Sequence, residues 1–200
     1  MGYRTTQPTG HSAGPYPSSP AERAVAFWNS LKLYEGAHHV GVRGRFDALH
    51  ASLRGFQTFG DGLEDGALMD IGILLPPGFE VELLRRRLQI WGGEARITLE
   101  SSYPPYVAEK NTPLIRDLLT AIRAQGGKPR FKLKTGTSDM NTLGTAWDCP
   151  MAAYGPGDPA LDHTPHESAE IEELHRGVDE VARTIASLST GGLPAAPEER

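Results

Sequence analysis

The segment ALMDIGILLPPGFEVELLRRRLQIWGGEARITLE, residues 67–100, contains the pattern that decides the fold of this chain. Residues 67–75 form a short apolar run that stops at Pro76 and Pro77, as is typical of a strand followed by a turn. Apolar side chains then recur at helical intervals, and Gly92 and Gly93 end that pattern. The recurring positions are Phe79, Val81, Leu84 and Leu88. We therefore predict a strand, a helix and a second strand at Ala95–Glu100.

A second set of elements precedes this segment. Ser19, Pro20 and Glu22 predict a helix start, because a serine hydroxyl can cap the helix, a glutamate can reach back, and proline suits the first helical position. Tyr3–Thr9 and Leu49–Thr58 are predicted strands, the latter forming a hairpin with residues 67–75. The apolar face of the helix would contain Ala21, Ala24, Val25, Trp28, Leu31 and Leu33.

The predicted order is strand, helix, strand, strand, helix, strand. This is the order of a ferredoxin-like layer, in which two helices cover one face of a four-stranded antiparallel sheet. We therefore expect residues 1–104 to form one small domain that ends near Pro104 and Pro105.

The remaining residues predict a layered α/β unit at 105–190. Thr112 and Pro113 open a helix that ends at Gly126, and a last helix extends over Glu170–Leu188. Phe131–Lys134 and Pro150–Tyr154 resemble strands between them. Ile115, Leu118, Leu119 and Ile122 would face the core from the first helix, and Leu174, Val178, Val181 and Ile185 from the last. Residues 191–200 have the composition of a disordered tail.

Composition narrows the classes of function. The formal net charge of −5 offers no electrostatic reason to expect nucleic acid or an anionic membrane surface as a partner. The single cysteine, Cys149, excludes an intramolecular disulfide and fits a reducing cytoplasm. No signal peptide or spanning segment is evident, so we expect a cytoplasmic protein.

A loop near the C-terminus contains the best candidate for a metal ligand. His163 lies in GPGDPALDHTP, residues 155–165, where prolines on both sides restrict the backbone. A neutral imidazole held in such a loop is a suitable zinc ligand, and Asp162 can orient its other nitrogen. Zinc needs three or four ligands, however, and neither an H-E-x-x-H motif nor paired C-x-x-C motifs occur.

Two further loops contain candidate polar sites. The segment KTGTSDMN, residues 134–141, offers hydroxyls and backbone amides that suit a carboxylate; a turn in which Ser138 or Asp139 starts a short helix explains it equally well. His11 can donate to an oxyanion, although a surface histidine is the simpler interpretation. Gly10, Ser12 and Gly14 match the G-x-S-x-G nucleophile motif, but prolines delay the helix that this motif requires.

Two stretches resemble one family. They are GHSAGP, residues 10–15, leading into AERA at 21–24, and KTGTSDMN at 134–141, followed by GPGD at 155–158 and DHTP at 162–165. In order and separation they are similar to the co-catalytic zinc aminoacylases, such as acetylornithine deacetylase and succinyl-diaminopimelate desuccinylase. They are most similar to the hydrolases that free lysine or ornithine from an amino-group carrier protein, in lysine and arginine biosynthesis.

The resemblance implies a fold and specific roles. It implies a ferredoxin-like lid that forms a homodimer, followed by the C-terminal part of an α/β catalytic domain. His163 would bind metal, and His11 would reach the partner's active site to stabilise the oxyanion. Gly136, Thr137, Ser138 and Asn141 would hold the amino-acid end of an N-acyl amino acid or carrier-protein substrate.

The departures from the family pattern are equally informative. The complete family site holds two zinc or cobalt ions, and a His-x-Asp segment and a Glu-Glu pair before the lid supply most of its ligands and the general base. This sequence has no such residues before the predicted lid, and it has Leu74 where relatives often carry an arginine. We therefore expect a truncated or split hydrolase that is inactive alone and is completed by a separate N-terminal half.

Two alternatives remain open. The chain can be a non-catalytic module that dimerises or binds a carrier protein, or a serine hydrolase that uses Ser12.

Overall fold

The computed structural model describes residues 1–11, 14, 18–42, 44–100 and 103–190. Two compact units are present. The first contains Met1–Pro105 and Leu133–Asn141, and the second contains Tyr106–Lys132 and the described residues from Thr142 onward. Ser12 and the tail 191–200 lie outside the described residues, so the expectations for them are untested.

The first unit is built on a four-stranded antiparallel sheet. Its strands are β1 (Gly2–Pro8), β2 (His50–Gly60), β3 (Glu64–Leu74) and β4 (Arg96–Thr98), in the order β2-β3-β1-β4. β3 pairs with both β1 and β2, and β1 also pairs with β4. Helix α1 (Pro20–His38) joins β1 to β2, and helix α2 (Val81–Gly92) joins β3 to β4. The mixed α/β class and the small antiparallel sheet are therefore confirmed.

The β2–β3 hairpin is also confirmed, with longer strands than predicted. Asp61 closes its turn, because Oδ1 of this residue accepts hydrogen bonds from the backbone N–H groups of Leu63 and Glu64, each at 2.8 Å. Gly62 has φ of 88°, a left-handed conformation that glycine adopts without steric cost. Gly60 is the last residue of β2, and Gly66 lies within β3.

Helix α1 begins where the sequence predicts, but its buried face differs. The backbone N–H of Ser19 donates to Glu22 Oε2 at 2.7 Å, and the Glu22 N–H donates to Ser19 Oγ at 3.2 Å, forming a capping box. Val25 and Leu33 are 46% and 77% exposed, so their assignment to the core face was wrong. The buried apolar side chains of α1 are those of Ala24, Phe27, Leu31 and Tyr34.

The core of the first unit lies between α1, α2 and the sheet. Tyr3 and Met69 face each other across β1 and β3, and the ring centroids of Tyr3 and Phe27 are 4.6 Å apart. Other fully buried side chains belong to Leu31, Leu49, Ile71 and Leu88. Removal of this apolar area from water provides most of the unit's stability.

The second unit is helical in its described part. Helix α3 (Pro113–Ala124) packs against helix α5 (Ile171–Thr190), and the Thr112 side chain caps α3 by accepting from the Ile115 N–H at 3.3 Å. Ile115 and Leu118 are buried as predicted, together with Ala121. Helix α4 (Asp139–Ala146) lies between α3 and α5 in the chain.

Helix α5 is oriented differently from the prediction. Its buried positions are Gly177, Glu180 and Thr184, whereas the apolar stripe predicted to face the core is exposed. The helix thus packs its small and polar side on its neighbour.

Two predicted strands are absent. Phe131–Lys134 and Pro150–Tyr154 have irregular backbone and pair with no strand within the described part of the chain. A strand requires a hydrogen-bonding neighbour, and the sheet of the first unit consists of β1–β4 only. Phe131 and Leu133 are therefore exposed.

No helix within the described ranges is both long and apolar enough to cross a membrane.

Candidate functional site

His11 follows the end of β1 in the first unit. The residue is exposed, and its carbonyl oxygen accepts a hydrogen bond from the Gly14 N–H at 2.6 Å. The preceding segment is tied to the hairpin, because the Thr9 N–H donates to the Leu63 carbonyl at 2.8 Å. The structure thus places His11 at the surface of the unit, on a backbone that is anchored on one side.

The loop 134–141 also belongs to the first unit, and its last residues form the start of α4. Gly136, Thr137 and Ser138 are exposed. A Cβ atom added at Gly136 would meet nothing within 4 Å, so space is open beside this backbone. These three residues are accessible to a ligand.

Asn141 has a structural task in the same loop. Its Oδ1 accepts from the Ser138 N–H at 2.8 Å, its own N–H donates to the Ser138 carbonyl at 3.0 Å, and its Nδ2 donates to the Pro104 carbonyl at 2.8 Å. The side chain therefore closes the first turn of α4 and ties it to the segment after β4. This pattern agrees with the alternative in which Ser138 starts a short helix.

His163 lies in the second unit, in a series of turns before α5. Its φ is 62°, an unusual value for a residue with a side chain. The His163 N–H donates to Glu167 Oε2 at 2.9 Å, and the Thr164 N–H donates to the Leu161 carbonyl at 3.0 Å. Because left-handed backbone costs about 1–2 kcal/mol, these contacts must hold the turn in place. The result is an exposed histidine on a fixed backbone.

The described residues do not make a zinc site by themselves. No three histidine, cysteine, aspartate or glutamate side chains within the described ranges lie close enough together to hold a metal ion. A stable zinc site needs at least three protein ligands, so His163 supplies one candidate donor and no more. The metal that the family resemblance implies therefore does not fit the described residues alone.

A buried carboxylate in the first unit was not predicted from the sequence. Glu35 on α1 is buried, forms an ion pair with Lys32 and is hydrogen-bonded to His50, whose Nδ1 lies 3.0 Å from Glu35 Oε1. Burial raises the pKa of Glu35, but the hydrogen bond and charge of Lys32 and the hydrogen bond of His50 outweigh it, so that the pKa is lowered. The spacing of Lys32 and Glu35 is visible in the sequence, whereas the contact with His50 depends on α1 packing beside β2.

Two histidines, His38 and His39, lie at the end of α1. His38 is the last helical residue, and His39 caps the helix. The Nδ1 atom of His38 lies 2.9 Å from the Tyr34 carbonyl, and the Nε2 atom of His39 lies 2.6 Å from the Leu49 carbonyl. These contacts give both rings a structural role at the α1–β2 connection.

A second buried carboxylate lies in the second unit. The Tyr154 hydroxyl donates to Glu180 Oε2, and Glu180 is buried on α5. Burial, followed by the hydrogen bond and negative charge of Glu180, raises the pKa of Tyr154 to about 12. The sequence gives no local signal for this pair, because its members are 26 positions apart.

Comparison with known proteins agrees with the resemblance found in the sequence. The sequence profile of peptidase family M20/M25/M40 matches residues 6–187. A LysW-lysine hydrolase of Deinococcus radiodurans is 35% identical over 186 residues, which is 90% of this chain and 51% of that protein. A protein of Thermococcus kodakarensis, provisionally named a LysW-lysine/LysW-ornithine hydrolase, is 35% identical over 179 residues, or 90% of this chain and 46% of its own length.

Solved structures show the same relationship at the level of the fold. A tripeptidase from Staphylococcus aureus has a TM-score of 0.67 at 15% identity, covering 92% of this chain and 49% of its own. The chain thus spans about half the length of the relatives that it matches. The profile match extends over nearly all of the sequence, so this chain belongs to peptidase family M20/M25/M40.

Proposed function

We propose that this chain is the lid and the C-terminal catalytic segment of a metal-dependent amide hydrolase that releases lysine or ornithine from an amino-group carrier protein. The observation that carries the proposal is the family match over residues 6–187, together with relatives that are named LysW-lysine and LysW-ornithine hydrolases. The alternative substrate is an N-acyl amino acid, which would be cleaved by the same amide hydrolysis. We place the protein in the cytoplasm, in lysine or arginine biosynthesis.

The topology of the first unit supports the lid assignment. The order β2-β3-β1-β4, with one helix after β1 and one after β3, agrees with the order expected of a ferredoxin-like layer and so supports this proposal. In this proposal residues 1–104 are a dimerisation lid and residues 105–190 belong to the catalytic domain. His11 at the surface of the lid is then available to reach the active site of a second copy.

Three groups of residues receive roles in the proposal. His163 is a ligand of zinc or cobalt, because it is exposed on a turn held by Glu167 and Leu161. Gly136, Thr137 and Ser138 bind the amino-acid carboxylate through accessible backbone and hydroxyl groups. Asn141 positions this loop for substrate binding, because its side chain is hydrogen-bonded to the backbone of Ser138 and Pro104.

The proposal includes no hydrolytic step by this chain alone. A single candidate donor cannot hold the ion that would activate water, and the described residues present no three-ligand cluster. The remaining ligands and the general base would come from a separate N-terminal half. When such an ion is bound, it supplies an activated hydroxide and polarises the scissile carbonyl.

Zinc titration by calorimetry and an amide-cleavage assay on LysW-linked lysine test this proposal. We expect weak zinc binding that His163→Ala abolishes and that His175→Ala, at an exposed position on α5, leaves unchanged. We expect no cleavage by the 200-residue chain. Turnover by this chain alone, or zinc binding that is unaffected by His163→Ala, would contradict the assignment.

A non-catalytic module is the second candidate function, and the lack of a three-ligand cluster in the described part of the chain favours it. Such a module would dimerise through the lid or bind the carrier protein without chemistry. Light scattering and a pulldown with the carrier protein would detect both activities. Cleavage that appears when the missing half of a relative is added supports the hydrolase, whereas carrier binding without rescue supports the module.

A further inference from the structure

Helix α5 exposes the side that a helix normally buries. Leu174, Val178, Val181 and Ile185 recur at helical spacing, and they are 49%, 59%, 42% and 59% exposed. The adjacent side of the helix, with Gly177, Glu180 and Thr184, is buried. An amphipathic helix in a complete domain packs its apolar stripe inward, whereas the described residues leave much of this stripe uncovered.

The apolar stripe forms one wall of an open groove. The segment Tyr154–Pro156 forms the other wall, and the groove has a volume of ≈ 400 Å³ within the second unit. Its lining is mostly apolar, because leucine, valine, alanine and isoleucine side chains form the α5 wall. The Tyr154 hydroxyl, at the other wall, is hydrogen-bonded to the Glu180 carboxylate. A contiguous apolar surface of this kind is typical of a protein interface or of a domain interior that has been opened.

The length of the relatives bears on what could cover this groove. The Deinococcus hydrolase and the Staphylococcus tripeptidase each match this chain over about half of their own length, while 90% and 92% of this chain is matched. Each of these proteins therefore contains roughly as many further residues. Pro150–Tyr154, whose sequence is typical of a strand but which has no partner within the described ranges, lies directly before the groove.

We propose that this α5 groove, lined by Tyr154–Pro156 and by the exposed stripe of α5, is the docking surface for the part of the hydrolase that this chain does not span. The partner is an α/β polypeptide with an apolar face that covers Val178 and Ile185 and a strand edge that pairs with residues 150–154. The inference rests on the proposed function, because it takes the missing half of the catalytic domain as the occupant.

Binding between the full chain and a probe polypeptide tests this surface. The probe is the part of the Deinococcus radiodurans LysW-lysine hydrolase that lies outside the region matched by this chain, expressed separately. We expect Ile185→Glu to weaken the complex at least about tenfold, because a carboxylate would be placed in a desolvated contact. Ile90→Glu on α2 is the matched control, since Ile90 is also an exposed isoleucine on a helix.

A second variant and a second measurement distinguish loss of binding from loss of folding. Val178→Glu should weaken the complex to a similar degree, and the helical circular dichroism of both variants should match that of the unmodified chain. Hydrogen exchange should show that the probe slows exchange in α5 and at residues 150–154. An unchanged affinity of both α5 variants, or no complex with the unmodified chain, overturns the proposal.

Other outcomes distinguish this proposal from its alternatives. Self-association of the chain that is abolished by Ile185→Glu would assign the groove to a second copy and refute the missing half as its occupant. A complex that needs α5 but cleaves no amide supports the surface and counts against the hydrolase function. If the probe restores cleavage and Ile185→Glu does not weaken the complex, the hydrolase function is supported and the α5 groove is refuted as the docking surface.

Discussion

Replacing Asn141 with alanine should loosen the loop that contains Gly136, Thr137 and Ser138. The substitution removes the acceptor of the Ser138 N–H and the donor to the Pro104 carbonyl, both at 2.8 Å. A hydrogen bond contributes a net of about 0.5–1.5 kcal/mol, and both of these are exposed to solvent. The expected loss in the free energy of unfolding is therefore about 1–2 kcal/mol.

The matched control is Asn29→Ala, at an exposed position on α1. Alanine favours a helix over asparagine by up to about 0.7 kcal/mol, and this gain is common to both variants. The difference between the two variants then isolates the hydrogen bonds. Asn141→Asp keeps an acceptor for the Ser138 N–H but loses the donor to Pro104, so its effect should be intermediate.

Urea unfolding and amide exchange provide the assay. The midpoint of unfolding should fall in Asn141→Ala relative to Asn29→Ala, with an unchanged dependence on urea. The Ser138 amide should exchange faster, because it has lost its acceptor. Equal midpoints and equal Ser138 exchange in the two variants would refute the positioning role and leave Asn141 available for direct contact with substrate.

Three further predictions concern the buried contacts. Glu35→Gln should destabilise the first unit by about 1–3 kcal/mol at pH 7. Because the pKa of Glu35 is lowered on folding, the difference in stability between the two proteins should be complete above the unfolded pKa of about 4.3 and should vanish as the pH falls through the lower folded pKa. Urea unfolding at several pH values measures this difference. Tyr154→Phe should cost about 1–3 kcal/mol by leaving a buried carboxylate without its donor. The pKa of Tyr154 is raised to about 12, so the stability from this contact should be present below the unfolded pKa of about 10 and be lost as the pH rises towards 12, which near-ultraviolet absorbance and unfolding at high pH can follow. Gly66→Ala should destabilise the first unit by about 1–3 kcal/mol, because the new Cβ would lie 2.1 Å from the ring of Phe59. The control is Gly36→Ala, which should not destabilise the protein because a Cβ there would meet nothing within 4 Å. Thermal unfolding compares the two variants, and equal melting temperatures would contradict the predicted clash.

Local signals in the sequence determined where several elements begin and turn. The starts of α1 and α3 follow from Ser19 and from Thr112, because a cap depends on hydrogen bonds to residues three positions away. The β2–β3 hairpin and the apolar face of α3 also follow from short-range spacing. The motifs around His11 and His163 were sufficient to indicate the family that the comparisons show.

Tertiary structure decided which sides of the helices are buried and which polar groups meet. Val25 and Leu33 fit an apolar face of α1, yet the side of the helix that is buried contains Phe27 and Tyr34 instead. The contacts of Glu35 with His50 and of Tyr154 with Glu180 join residues 15 and 26 positions apart. Spacing along the chain cannot reveal such pairs, because burial depends on the neighbour that a surface meets; for the same reason, the exposed stripe of α5 is apparent only in the folded structure.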